Sequence, residues 1–150
     1  MLEPWTWVYP GDEAIDRTRD DWPSELEAAN ESGNADRLPL KAGAKPALWE
    51  LSHLRGRARR MATMLSFSDD AEDRLRGTYL AAAFGLLSVE NLYDQSGSPV
   101  KIERFMDPGL ERLQRVMDPT MDLLCEIDDG LLVSAIGGTI LRKALLSKKK

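Results

Sequence analysis

Between Ser68 and Leu92 the chain spells out one face of a helix more clearly than anywhere else, and this stretch limits the fold most. Leu75, Tyr79, Ala82, Ala83, Leu86 and Leu87 recur at the three- and four-residue spacing that gathers side chains on one side of a helix. Ser68 has the chemistry of an N-cap. Asp69, Asp70 and Glu72 follow it, where carboxylates favour the helix dipole. The pattern predicts a helix running to about Leu92 with those six residues inward. Gly77 and Gly85 interrupt it, each at a cost of roughly 1 kcal/mol relative to alanine. Glycine kept at that cost points to a second helix packed closely against this one.

Other segments follow the same period. A helix is expected from Ser52 or His53 to about Ser66, with Leu54, Ala58, Met61, Met64 and Leu65 inward and Arg55, Arg57, Arg59 and Arg60 elsewhere. Asp107-Pro108 and Asp118-Pro119 each pair an N-cap with a first-turn proline. The first predicts a short helix carrying Leu110, Leu113 and Val116. The second predicts one carrying Met121, Leu124, Ile127 and Leu131, ended or bent by Gly130 or Gly137-Gly138 and resuming at Ile140, Leu141 and Leu145. Ser24, with Glu27 three residues on, predicts a short helix to about Glu31, and Ser32-Gly33-Asn34 a turn. Alternation at Leu38, Leu40 and Ala42, the break at Gly43, and Ala47 to Leu51 predict two short strands. Val100 to Phe105 predicts another after the turn Asp94–Pro99. The fold class is therefore mainly α with a small β element (α+β), its body bundle-like.

A chain of 150 residues suits one domain. Its charge is unevenly placed. Residues 1–36 carry ten acids against Arg17 and Arg19, and residues 37–67 carry seven bases against Glu50. This division predicts an extended acidic arm, residues 1–36, on a helical body, residues 37–150. Ser147 and three terminal lysines read as a frayed tail. The net charge of −5 weighs against a dedicated nucleic-acid binder. Cys125 is the only cysteine, which excludes an intramolecular disulfide framework, fits a reducing compartment and reads as a passive thiol. No basic segment precedes an apolar run at the N-terminus, so no secretory signal is expected. Leu131 to Leu141, interrupted by Ser134, Gly137, Gly138 and Thr139, is far shorter than the roughly 20 residues of a membrane span.

Catalytic chemistry finds little to build on. One cysteine and one histidine, His53, cannot supply a usual structural zinc site. Walker A, dinucleotide-fingerprint and nucleophile-elbow sequences are all missing, so no cofactor or metal is expected and the chain reads as no enzyme. The carboxylate pairs Asp20-Asp21, Asp69-Asp70 and Asp128-Asp129 are explained by a solvated segment, a helix first turn and a polar helix face. Two clusters suit binding instead. Trp5, Trp7, Tyr9, Trp22 and Trp49 lie in segments without helical period. They suit either docking onto the body or anchoring a protein interface, where tryptophan is enriched. Arg55, Arg57, Arg59 and Arg60 suit phosphate contact or a solvated helix face.

One family resemblance sharpens these expectations. An acidic lead-in, Asp12 to Arg17, is followed by Leu38-Pro39-Leu40-Lys41-Ala42-Gly43-Ala44-Lys45-Pro46-Ala47-Leu48-Trp49-Glu50-Leu51 ahead of a helix. A glycine-containing helix then closes with Gly85 to Val89 and the triplet Glu90-Asn91-Leu92, before the turn Asp94–Pro99 and two terminal helices. That order resembles small morphogenesis proteins of tailed bacteriophages and prophages, both tail-assembly-chaperone types and minor virion components. The resemblance implies a non-catalytic protein-binding role in tail or head–tail assembly, in the host cytoplasm or the virion. Its partners would be phage structural proteins or further copies of the chain. A nucleic-acid-associated regulator using the arginine helix and a small enzyme with an unrecognised carboxylate pair are the alternatives.

Overall fold

A computed structural model describes residues 3–110 and 113–147, with residues 35, 146 and 147 described by backbone alone. The three terminal lysines lie outside the described residues. The fold is α+β, as expected. The chain forms two compact units, one of Trp5–Glu50 with Ser88–Lys101, the other of Met1–Pro4, Leu51–Leu87 and Ile102–Lys150.

The smaller unit is built on strand β1 (Trp5–Trp7), helix α1 (Trp22–Ser32), strand β2 (Leu48–Leu51) and strand β3 (Leu86–Glu90). The strands form a three-stranded sheet in the order β1-β2-β3, and the chain crosses between units within β2 and β3. Val8, Ile15 and Leu26 form the core of this unit, with Trp22, Leu38, Leu40 and Leu48 packed against it. Asn30 of α1 clamps Val8, accepting from its N–H at 2.9 Å and donating to its carbonyl at 3.0 Å. Asp12 accepts from the backbone N–H groups of Ala14 and Ala47. These ties fix the irregular stretch after β1 to α1 and to the residues before β2.

Residues 5–36 are therefore part of a packed unit and not an extended arm. Their charge misleads because most of the acids are exposed while Val8 and Ile15 turn inward from irregular backbone and Leu26 from α1. Helix α1 also starts earlier than expected, after Asp21 rather than Ser24, with Pro23 in its first turn. Of the two strands expected between residues 38 and 51, only β2 forms. Leu40 makes a single antiparallel bridge to Ile15.

The larger unit holds α2 (Gly56–Ser66), α3 (Ala71–Gly85), β4 (Arg104–Met106), β5 (Gln114–Val116), α4 (Asp118–Cys125) and α5 (Leu131–Ser147). Helices α2 and α5 both pack on α3. Glycine sets the closeness of both contacts. A Cβ on Gly77 would lie 2.9 Å from Cβ of Leu65 on α2, and one on Gly137 would overlap the Thr78 carbonyl of α3. Met121, Leu124, Leu132, Ile136 and Ile140 fill the core.

Several expectations in this unit are corrected. Helix α3 is capped by Asp70, whose side chain accepts from the Glu72 N–H at 2.9 Å, and not by Ser68. It ends at Gly85, whose carbonyl accepts from the Ser52 N–H at 2.7 Å, and residues 86–90 continue as strand. The Asp107-Pro108 pair opens no helix. Asp107 accepts from the N–H groups of Gly109 and Leu110 in a turn, and β4 pairs antiparallel with β5, Phe105 opposite Arg115. A helix does start at Asp118-Pro119, but its N-cap is Met117 and Asp118 is its first residue, with no side-chain cap. The break at Gly130 stands as expected, with Asp128 and Asp129 in left-handed backbone before α5.

Candidate functional surface and pocket

The aromatic candidates divide by burial. Trp7 and Trp49 are 5% and 1% exposed and belong to the core, so neither is available as an interface anchor. Trp5 and Tyr9 are half-buried, and the Tyr9 ring lies 6.1 Å from that of Trp7. Trp22 packs on the small core, with the Arg17 guanidinium 5.4 Å above its ring. Trp7 and Trp49 thus follow the packed reading, while Trp5, Tyr9 and Trp22 keep part of their surface exposed.

The arginine candidates also divide. Arg59 turns inward and donates from Nη2 to the Ala144 carbonyl in the last turn of α5 at 3.0 Å, a capping contact for an orphan helix carbonyl. Arg55, Arg57 and Arg60 are exposed and take part in no ion pair among the described residues.

On α2 the inward residues are the small ones. Ala58, Ala62 and Thr63 are buried, while Met61 and Met64, expected inward, are 41% and 73% exposed. Gly77 of α3 lies against Ala62, Leu65 and Ser66, so that side of α2 faces α3 while positions 61 and 64 fall away from it. Phe67, just after the helix, is 71% exposed. Arg57, Met61 and Met64 follow one another at i, i+4 and i+7, and Arg60, Met64 and Phe67 repeat those spacings alongside. Neighbours at three and four residues share a helix surface, so the outer side of α2 brings Met61, Met64 and Phe67 together beside Arg57 and Arg60, which form no ion pair among the described residues. Leu75, also expected inward, is 64% exposed on α3.

A second feature lies at the start of α2, within the larger unit. A cavity of about 280 Å³ is lined by Ser52, His53, Arg55, Phe84, Leu87 and Arg104, with Leu113 and Gln114 at its hairpin side. No carboxylate is among its described lining residues. Burial, then Lys143, Arg59 and Arg55, hold the His53 imidazole below its ordinary pKa. Arg104 donates from Nη2 to the carbonyls of Phe84 (3.1 Å) and Gln114 (2.9 Å), and burial alone pulls it below the usual arginine range. Its buried Nε–H meets no acceptor from the described chain.

Sequence reasoning missed Arg104, Phe84 and Leu87 here, because the cavity joins residue 4, residues 52–58, residues 84–87 and the hairpin residues 104–114, and no motif links them. Phe67 was missed because it follows the helix. Cys125 is half-buried, its thiol pushed up by burial and by Asp122, which fits the passive reading. Among the described residues there is no metal-binding group of acids, histidines or cysteines, and no helix is long and apolar enough to cross a membrane. The chain matches no protein-family model, no curated protein and no solved structure.

Proposed function

We propose that this chain is a non-catalytic protein-binding protein acting in bacteriophage particle assembly, at the tail or the head–tail junction. The outer side of α2 carries the binding part of the proposal. Met61, Met64 and Phe67 offer flexible apolar and aromatic surface. Arg57 and Arg60 flank it with charge that the described chain does not neutralise. The complementary partner is an amphipathic segment of a structural subunit, apolar along its middle and acidic at its edges. Apolar contact supplies affinity, and the charges set orientation and encounter rate. Such docking occludes or bridges the subunit until assembly. The phage setting rests on the order of segments described above.

The test is purification of the tagged chain from phage-producing cells beside the variants M64E and R57E/R60E. Head or tail structural proteins should accompany the wild type and be lost from both variants. Removing a central anchor costs at least about 2 kcal/mol, roughly a thirtyfold loss of affinity. Recovery of nucleic acid, lost on R57E/R60E and kept on M64E, would promote the regulator. Recovery of structural proteins equally by all three forms would remove α2 from the account.

A further inference from the structure

We propose that the cavity at the start of α2 binds a small organic oxyanion, with Arg104 and Arg55 holding a carboxylate or phosphate-ester head and Phe84, Leu87 and Leu113 covering an apolar body. This site is separate from the outer side of α2 and does not depend on the assembly reading.

Two arginines and a histidine share one small cavity without a carboxylate among the described lining residues. Half-buried arginine is ordinarily paired, because a partly desolvated cation is costly when nothing opposes it. Arg115, in the same unit, shows the ordinary arrangement, lying between Asp107 and Asp118. Arg104 has two backbone carbonyls and no ion pair. Those carbonyls fix the guanidinium in place, so an anion need not organise it on arrival. A fixed planar fork with unused N–H donors suits a carboxylate or a phosphate.

Arg55, Arg59 and Lys143 all oppose protonation of His53 on the cavity wall, and an anion bound there would favour it. Ser52 and Gln114 add neutral polar groups to the wall. The remaining lining is apolar, which selects an anion with an organic body over a bare inorganic one. The volume sits near the lower end of ligand cavities, roughly 300 Å³, which suits a small aromatic or short-chain acid.

The histidine makes the test direct, since the chain has one. The untagged protein is titrated with phenyl phosphate, phenylacetate, inorganic phosphate and neutral benzyl alcohol while the His53 imidazole resonances are followed by NMR. An organic anion should move them along a saturating curve and raise the pH midpoint of His53. Inorganic phosphate should bind about tenfold or more weakly, as expected for the lost apolar contact. A preference for phenyl phosphate assigns a phosphate ester, and one for phenylacetate assigns a carboxylate.

Replacing Arg104 (R104Q) should weaken binding about tenfold or more, the usual size of a charged hydrogen bond. Because Arg104 also ties two carbonyls, R55Q provides a variant whose side chain has no such structural contact, and it should weaken binding several-fold. Resonances unmoved by either organic anion overturn the proposal. So does equal binding by the wild type and R55Q, or benzyl alcohol binding as tightly as the anions.

Discussion

Adjacent glycines on α5 should respond oppositely to the same substitution. Gly137 meets α3 so closely that an added Cβ would lie 2.7 Å from Thr78 Cγ2 and 2.9 Å from the Thr78 carbonyl carbon, and closer still to its oxygen. Ordinary contact begins near 3.4 Å. The nearest atoms are backbone, so relief requires the two helices to separate by more than half an ångström. Overpacking of this kind costs about 1–3 kcal/mol. Alanine returns about 1 kcal/mol of helix propensity, so G137A should destabilise by about 0–2 kcal/mol, with the upper half expected because backbone must move. Gly138 has nothing within 4 Å of its would-be Cβ. G138A should therefore keep the propensity gain and stabilise by up to about 1 kcal/mol. The two variants should differ by about 1–3 kcal/mol in urea denaturation, or roughly 2–12 °C in Tm at this chain length. The difference is the informative quantity, since the propensity term is common to both. If G137A and G138A stabilise equally, α5 does not approach α3 at Gly137 and the packing argument fails.

Three further outcomes follow. L75A should change stability by less than about 0.5 kcal/mol because Leu75 is exposed, whereas an inward Leu75 would cost about 2–5 kcal/mol, and denaturant midpoints separate the two. D70A removes the side-chain acceptor for the Glu72 N–H and should cost about 1 kcal/mol in the same assay, with helix content by circular dichroism little changed before the transition. His53 has its folded pKa lowered, chiefly by burial, so the unfolded chain binds the proton more readily. Its contribution is present above the ordinary value of 6.5 and lost as pH falls from there through the depressed folded pKa. The decline in stability on acidification through that window should be shallower in H53Q, and an unchanged slope would deny His53 its buried, cation-facing position.

Much of the helical layout was legible because punctuating residues and apolar period coincided, as at Asp118-Pro119, where the proline and the acid fall in the first turn of α4, and at the break before Leu131. The misplacements occurred where a local signal has two outcomes and a distant segment chooses. Leu86-Leu87-Ser88-Val89-Glu90 suits either a helix end or a strand. What selects the strand is pairing in the β1-β2-β3 sheet, next to the Ser52 N–H that takes the Gly85 carbonyl. Asp107 satisfies two backbone N–H groups as readily in a turn as at a helix start. The hairpin is chosen by pairing of β4 with β5, which no local rule records. Residues 5–36 lacked any period because their buried positions come from turns and a short helix, so charge alone suggested an arm.

The candidate surface was misread for a related reason. Positions 58, 62 and 65 of α2 form one stripe, and 57, 61 and 64 form another. Burying methionine is worth roughly 1.5–3 kcal/mol, which favours placing Met61 and Met64 inward when the helix is considered alone. The partner helix reverses that choice. With Gly77 facing α2, the contact is made backbone to backbone, and alanines at 58 and 62 fit where methionines would force the helices apart. A pair of helices that packs through its small residues must present its larger ones elsewhere. The outer strip is thus a consequence of the packing, and so exposure of Met61 and Met64 alone does not argue for a partner. What packing does not require is Phe67 continuing the strip past the helix end, or Arg57 and Arg60 beside it without counter-charges from the described chain. Those residues, rather than the methionines, distinguish a docking surface from the outside of a bundle, and this is why R57E/R60E is the more telling of the two α2 variants.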